Sequence, residues 1–336
     1  MTATCVDRES DPLPQHQGEP AETAGRLCPA DYRYPPSIFD RPSDFAADVL
    51  YVVGGLYGNL AALDVVERLA EREQATVIFN GDFHWFDAEP AWFAETEQRV
   101  GRHRATRGNV ETEVARTSDV GAGCGCAYPA SVGEDVVRRS NEILAELRAT
   151  AQALPAAGPR LAAPPMHLVA DIGGLRIGIV HGDANALAGW SFARDALDAP
   201  AALAMLDALH RASRIDVFAS THTCLAVLRD VRLPAGRLTI INNGAAGMPN
   251  FSASRFGLMS RIATTPSPHR PLYGLVRDGV HIDAIPLHYD GEVFLRRFLA
   301  RWPAGSAAHA SYFQRITAGP DYAVGQARPQ PATTAA

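Results

Sequence analysis

Four polar residues close four apolar runs in this chain, and their types are those that hold metal ions. Asp82 ends the stretch TVIFNGDFHW, Asn109 lies in RATRGNVE, His181 in RIGIVHGD and His222 in IDVFASTHTC. A carboxylate, an amide oxygen and two imidazoles form a mixed donor set suited to Mn, Fe or Zn. A position just past a strand end is also where α/β proteins build their sites. Taken singly, each residue has a plainer reading. A buried His satisfied by a backbone carbonyl is commoner than a ligand, Asp82 could cap the next turn, and Asn109 could be a turn residue.

Other reactive groups lie close by in sequence. His84 stands two residues past Asp82, Glu111 two past Asn109, and Cys224 two past His222, where a thiolate could bind zinc or iron. Cys124 and Cys126 are spaced C-x-C among glycines, a pattern open to a soft-metal clamp, a strained redox pair or plain loop cysteines. The turn GGLYGN carries Tyr57 and Asn59 ahead of a helix, and its backbone amides could cradle a phosphate or the glycines could merely permit the turn. Trp85 reads as core or pocket wall.

The elements that position these groups follow from the apolar periodicity. Val49 to Val53 is a strand, followed by a helix with Leu60, Leu63, Val66, Leu69 and Ala70 on its buried face. Thr76 to Asn80 is a β-branched and aromatic run of the kind buried on both faces. A helix is expected from Ala88 to about Val100, then a short strand leading to Gly108, then an irregular stretch through Glu134. Ser131 and Glu134 have capping-box spacing for a helix whose apolar positions are Val136, Val137, Ile143, Leu144 and Leu147. An Ala- and Pro-rich link spans 153–165. Met166 to Ala170 and Leu175 to Val180 form a hairpin, and Asp198 before Pro200 opens a helix through Leu203, Leu206 and Leu209. Strands at Ile215 to Ala219 and Leu238 to Ile241, a hairpin of Leu272 to Val276 with His281 to Leu287, and a helix near Val293 to Ala300 complete the pattern.

Composition sets outer bounds. The chain has 336 residues, 47% of them hydrophobic, enough for a sizeable core. Its net charge of -6 argues against nucleic acid as a partner. All 31 basic residues are arginine, so Schiff-base chemistry and a lysine-bearing phosphate loop are excluded. Five scattered cysteines fit a reducing compartment, and no leader-like start or long apolar run is evident. The expectation is a soluble cytoplasmic protein with no membrane partner and an oligomeric state that the sequence leaves open.

The order of motifs GGLYGN, NGDFHW, RGNVE, VHGD and STHTC, followed by INNGAAG, resembles that of the calcineurin-like metallophosphoesterases. The resemblance implies an α/β fold in which two mixed β-sheets pack as a sandwich flanked by α-helices, in four layers. It implies a domain over 47–305 with a helical or loop insertion at about 112–165. A disordered or strap-like extension would occupy 1–46 and a low-complexity tail 306–336. It further implies hydrolysis of a small phosphate mono- or diester, with Asp82, His181 and His222 as catalytic residues and Asp82, Asn109, His181 and His222 as ligands of one or two divalent ions. Cys224 is a further candidate ligand, Tyr57, Asn59, His84 and Arg107 are candidates for contacting substrate, and Arg194 is an alternative to Arg107 for steadying the phosphate.

The departures from the family pattern are specific. Gly55 and Tyr57 stand where the family has the Asp and His of its first metal, Val110 replaces the His that follows the ligand Asn, and Cys224 replaces the last His. Losing one ion removes several kcal/mol of transition-state charge stabilisation, and losing a proton donor costs about 10²- to 10⁴-fold. Two alternatives therefore stand beside the hydrolase: a catalytically impaired relative that binds a ligand or partner, and a metal or thiol chemistry using Cys224 and the Cys124/Cys126 loop.

Overall fold

The computed structural model describes residues 24–328 and arranges them around two six-stranded sheets. In chain order the elements are β1 (Phe45–Ala46), β2 (Val49–Val53), α1 (Leu60–Glu73), β3 (Thr76–Asn80), α2 (Pro90–Val100), β4 (Arg104–Thr106), α3 (Asn109–Ala115), α4 (Glu134–Gln152) and α5 (Ala157–Ala162). Then follow β5 (His167–Ile172), β6 (Leu175–Val180), α6 (Arg194–Leu197), α7 (Ala202–Ser213), β7 (Val217–Ser220), β8 (Val227–Leu233) and β9 (Gly236–Asn242). The chain closes with β10 (Gly257–Ala263), β11 (Tyr273–Arg277), β12 (Val280–Leu287), α8 (Gly291–Arg301), α9 (Ala307–Ala318) and α10 (Val324–Ala327).

One sheet has the order β1-β5-β6-β7-β9-β8 and the other β11-β12-β10-β2-β3-β4. Successive side chains of a strand point to opposite faces, and here both faces are covered, so the central parallel strands β2 and β3 are largely apolar. Leu50, Val52 and Ile78 pack between the sheets against Ile177, Ile179, Val217 and Ile241. The alternate residues Tyr51, Val53, Val77 and Phe79 face outward into a second cluster with Trp92 and Phe93 of α2, Ile143 and Leu147 of α4, and Phe294 and Phe298 of α8. On the other outer face Phe218 and Ile240 meet Leu206 and Leu209 of α7. This is the four-layer sandwich of two mixed sheets between helices that the motif order implies.

Strand direction places the site. β2, β3 and β4 are mutually parallel, and so are β6, β7 and β9, so their carboxyl ends gather along one edge of each sheet. Asn80 joins the two edges, donating from Nδ2 to the Val180 carbonyl at 2.7 Å and accepting from the Thr106 hydroxyl at 2.8 Å. Asp82, Asn109, His181 and His222 follow β3, β4, β6 and β7 respectively.

Several local expectations are corrected. The stretch after Gly108 opens with helix α3, and the 153–165 link contains α5. Helix α4 starts after Gly133 with no side-chain cap, so Ser131 does not form the expected capping box. Asp198 caps nothing on α7, which starts after Ala201, and instead pairs with Arg229 at 2.8 Å. Of the 1–46 extension, residues 24–46 are ordered against the domain: Tyr32 and Phe39 are buried and β1 joins β5 in parallel. The parts of both expected tails before 24 and after 328 lie outside the described residues. No described helix is long and apolar enough to cross a membrane.

The C-terminal correction bears most on function. Residues 306–328 are not a low-complexity tail: α9 and α10 bury Ala308, Ile316, Tyr322 and Ala327. Truncation after Gly305 is therefore expected to lower the urea midpoint strongly, since each large buried apolar side chain is worth about 1.5–3 kcal/mol. An unchanged midpoint would mean that these helices are dispensable.

Candidate metal centre

The turn after β3 carries the first ligand candidate and is backbone-strained. Gly81 and Asp82 both have positive φ, +73° and 51°. A Cβ at Gly81 would lie 2.5 Å from the Gly108 nitrogen and 2.6 Å from His181 Nδ1, so only glycine admits the close approach of these three strand ends. Asp82, a non-glycine in the left-handed region, is held there by Glu111 of α3. The buried Glu111 carboxylate accepts the backbone N–H groups of Asp82 at 2.8 Å, Phe83 at 3.0 Å and Gly108 at 2.8 Å. Glu111 thus clamps the two turns to each other.

Four acceptor atoms converge beyond these turns. His181 Nδ1 lies 2.9 Å from the Asn80 carbonyl oxygen, which can only accept, so Nδ1 carries the proton and Nε2 presents its lone pair. His222 Nε2 likewise donates to the Cys126 carbonyl at 3.0 Å, leaving Nδ1 as the acceptor. Asn109 donates from Nδ2 to the Cys124 carbonyl at 2.9 Å, which turns its Oδ1 inward. His181 Nε2 then lies 3.1 Å from His222 Nδ1, 3.1 Å from Asn109 Oδ1 and 3.4 Å from Asp82 Oδ2. Acceptors do not gather in this way without a positive charge to share. The candidate ligand atoms of Asp82, His181 and His222 all lie within 4.8 Å of one another, the one such group of His, Cys, Asp or Glu among the described residues.

The electrostatics agree. Burial raises the Asp82 carboxyl, but the facing imidazoles of His181 and His222 and the Val110 N–H outweigh it and hold the group below its ordinary range. Burial and His181 push His222 down to about 3, so it is neutral. Burial also lowers His181, but Asp82 overrides it and the net shift is upward. An anion, a neutral imidazole and an imidazole that attracts a proton together make a site that favours a cation.

A cavity of about 170 Å³ opens over this cluster, lined by Asp82, Asn109 and His222 at its base and by Trp85, Tyr128, Trp190 and Tyr312 on its walls. Trp190 is set by the loop after His181. Asp183 closes that loop, accepting the N–H groups of Asn185 at 2.8 Å, Ala186 at 3.0 Å and Ser191 at 2.9 Å. Arg315 of α9 also lines the cavity.

Two solved structures share this architecture. A hypothetical protein from Pyrococcus horikoshii OT3 is 17% identical over 81% of this chain and 99% of its own, with a TM-score of 0.55. A metallophosphoesterase from Sphaerobacter thermophilus is 15% identical over 82% of this chain and 100% of its own, with a TM-score of 0.51. The chain has the metallophosphoesterase fold. No family model and no curated protein matches it.

The residues that the motif resemblance would set at another ion, Tyr57 and Cys224, are paired with each other. The Tyr57 hydroxyl and Cys224 Sγ are 3.0 Å apart, and both residues have positive φ. Tyr57 folds back over Gly55, where a Cβ would lie 2.9 Å from the phenol ring, so an acid at position 55 and this Tyr57 conformation exclude one another. Cys224 Sγ also donates to the His222 carbonyl at 3.3 Å and stands outside the convergent group, which corrects its place among the ligand candidates. Val110 keeps its backbone contact to Asp82 Oδ1 at 3.2 Å but puts an apolar side chain into the cavity wall.

Three substrate candidates are also corrected. Asn59 caps α1, accepting from the Ala62 N–H at 3.1 Å, and donates to the Gly247 carbonyl at 2.9 Å. His84 is buried away from the cavity, bonded to Asp87 at 2.7 Å and stacked on Phe93 at 3.9 Å. Arg107 binds the carbonyls of Ala162 at 3.2 Å and Pro164 at 2.6 Å, and Arg194 pairs with Asp195 on a neighbouring groove. Tyr57 alone of the substrate candidates lines the cavity. The cysteine loop matters through its carbonyls, which orient Asn109 and His222, more than through its thiols.

Replacing Glu111 by Ala leaves three backbone donors buried without an acceptor, each worth about 1–3 kcal/mol. The expected loss is about 3 kcal/mol or more in urea denaturation. Wild-type stability in Glu111→Ala would contradict the clamp.

Proposed function

We propose that this protein is a metal-dependent phosphoesterase with a single-ion centre, hydrolysing a small phosphate ester. The observation that carries the reading is the convergence of Asp82, Asn109, His181 and His222 with every proton-bearing nitrogen turned outward to a backbone carbonyl. Carboxylate, amide oxygen and imidazole ligands suit Mn, Fe or Zn. Such an ion, when bound, supplies Lewis acidity and lowers the pKa of water at the site.

The chain's own groups do the rest. Asp82 contributes the one negative charge among the ligands, while Asn109 and the two imidazoles contribute none, so the centre retains net positive charge for an anionic ester. The carbonyls of Asn80, Cys124 and Cys126 fix ligand orientation from outside, the arrangement that commonly raises ligand basicity and specifies tautomer. Trp85, Tyr128, Trp190 and Tyr312 restrict bulk water. Val110 leaves the usual proton donor missing, so leaving groups that need no protonation are the favoured substrates.

Val110 and the Tyr57–Cys224 pair also support a second reading, a relative that binds phosphate compounds without turnover. p-Nitrophenyl phosphate, whose leaving group needs no protonation, separates the two. Metal-stimulated hydrolysis by the wild type, reduced on the order of 10³-fold or more in Asp82→Ala and His181→Ala, is the expected result. Saturable phosphate binding with no turnover under any of the three metals would favour the binding protein. Cys126→Ser is expected to retain activity, because the contact it makes to His222 is through its carbonyl.

A further inference from the structure

Arg315 is a half-buried guanidinium with no carboxylate partner among the described residues. Its Nη2 donates to the Cys224 carbonyl at 2.6 Å and its Nε to the Pro249 carbonyl at 3.3 Å, while Nη1 makes no hydrogen bond to any described residue. It lines the cavity together with Tyr312, three residues earlier on the same face of α9. Its Nη1 is therefore available to an anion that enters the cavity from outside the chain.

Its place is informative. Cys224 and Tyr57 stand where the fold's other ion would be held, and Arg315 binds the backbone of one of them. Two backbone anchors hold the guanidinium, and a planar fork with a free edge matches a phosphoryl group.

We propose that Arg315, with the Tyr57 hydroxyl beside it, occupies the role of the missing ion by binding the phosphoryl oxygens, and that it selects phosphate monoesters. This rests on the single-ion phosphoesterase reading. Asp82 is the one acidic residue lining the cavity. A divalent ion together with Asp82 leaves one positive charge, and Arg315 adds a second, so the cavity complements a dianion. A monoester is dianionic above its second pKa of about 6, whereas a diester carries one charge.

The test is calorimetric titration of the Mn-loaded full chain with inorganic phosphate and with dimethyl phosphate at neutral pH. The wild type should bind inorganic phosphate at least tenfold more tightly. Arg315→Met should weaken inorganic phosphate by about 10- to 100-fold and erase the preference, with the bound metal unchanged by elemental analysis. Arg315→Lys, which keeps the charge, should retain a preference for phosphate and guards against loss through misfolding. Equal affinity for the two anions in the wild type, or unchanged phosphate affinity in Arg315→Met, overturns the inference. Should Asp82→Ala abolish phosphate binding while Arg315→Met does not, only the role of Arg315 falls. If neither substitution affects it, the phosphoesterase reading falls as well.

Discussion

The repulsion among four lone-pair-bearing atoms is the constraint on which the rest of the site depends. Asp82, Asn109, His181 and His222 meet at distances of 3.1 to 3.4 Å around His181 Nε2, with no proton among them when both imidazoles are neutral. Such an arrangement persists only if each member is held from behind. The carbonyls of Asn80, Cys124 and Cys126 do so for the amide and the imidazoles, and the Val110 N–H and the Glu111 clamp do so for Asp82 and its turn. The folded chain thus holds an electrostatic demand for positive charge in place through rigid backbone contacts.

That demand explains the surrounding architecture. Parallel strands on both sheets bring their ends to one edge, and Asn80 and Asn243 each tie one edge to the other. The loop that turns Asn109 and His222 inward is the cysteine loop between α3 and α4, so that stretch helps to shape the candidate centre. On the opposite side, α9 closes the cavity with Tyr312 and Arg315. Beside the convergent group a phenol and a thiol satisfy each other, and a guanidinium anchored to backbone carbonyls stands next to them.

The central sandwich and the four convergent residues were legible because buried parallel strands read as unbroken apolar runs, and the ligand candidates are the residues that interrupt them. Strand β10 was not legible, since Ser260 and Arg261 disguise it; Arg261 is buried only because Glu73, at 2.8 Å, and Asp283 receive it. Strand β8 was hidden by Arg229 and Asp230, which pair with Asp198 and Arg237. His84 and Asn59 drew notice by type but spend their polar atoms locally, one on Asp87 and one on a helix N-terminus. The cysteine loop misled in another way: side-chain type advertises thiols, whereas the working groups are backbone carbonyls, which every residue has. Arg315 was missed because the alanine-rich stretch around it resembles a tail, although the spacing of Tyr312 and Arg315 is that of one helical face.

The central claim is that this fold here carries one ion, held by Asp82, Asn109, His181 and His222. Electron paramagnetic resonance during Mn(II) titration of the purified protein tests it most directly. A single class of isolated Mn(II), with a hyperfine pattern free of exchange coupling and saturating near one equivalent per chain, is the expected result. A spin-coupled spectrum growing toward two equivalents would show that Tyr57 and Cys224 do not close the other position, and would contradict the account.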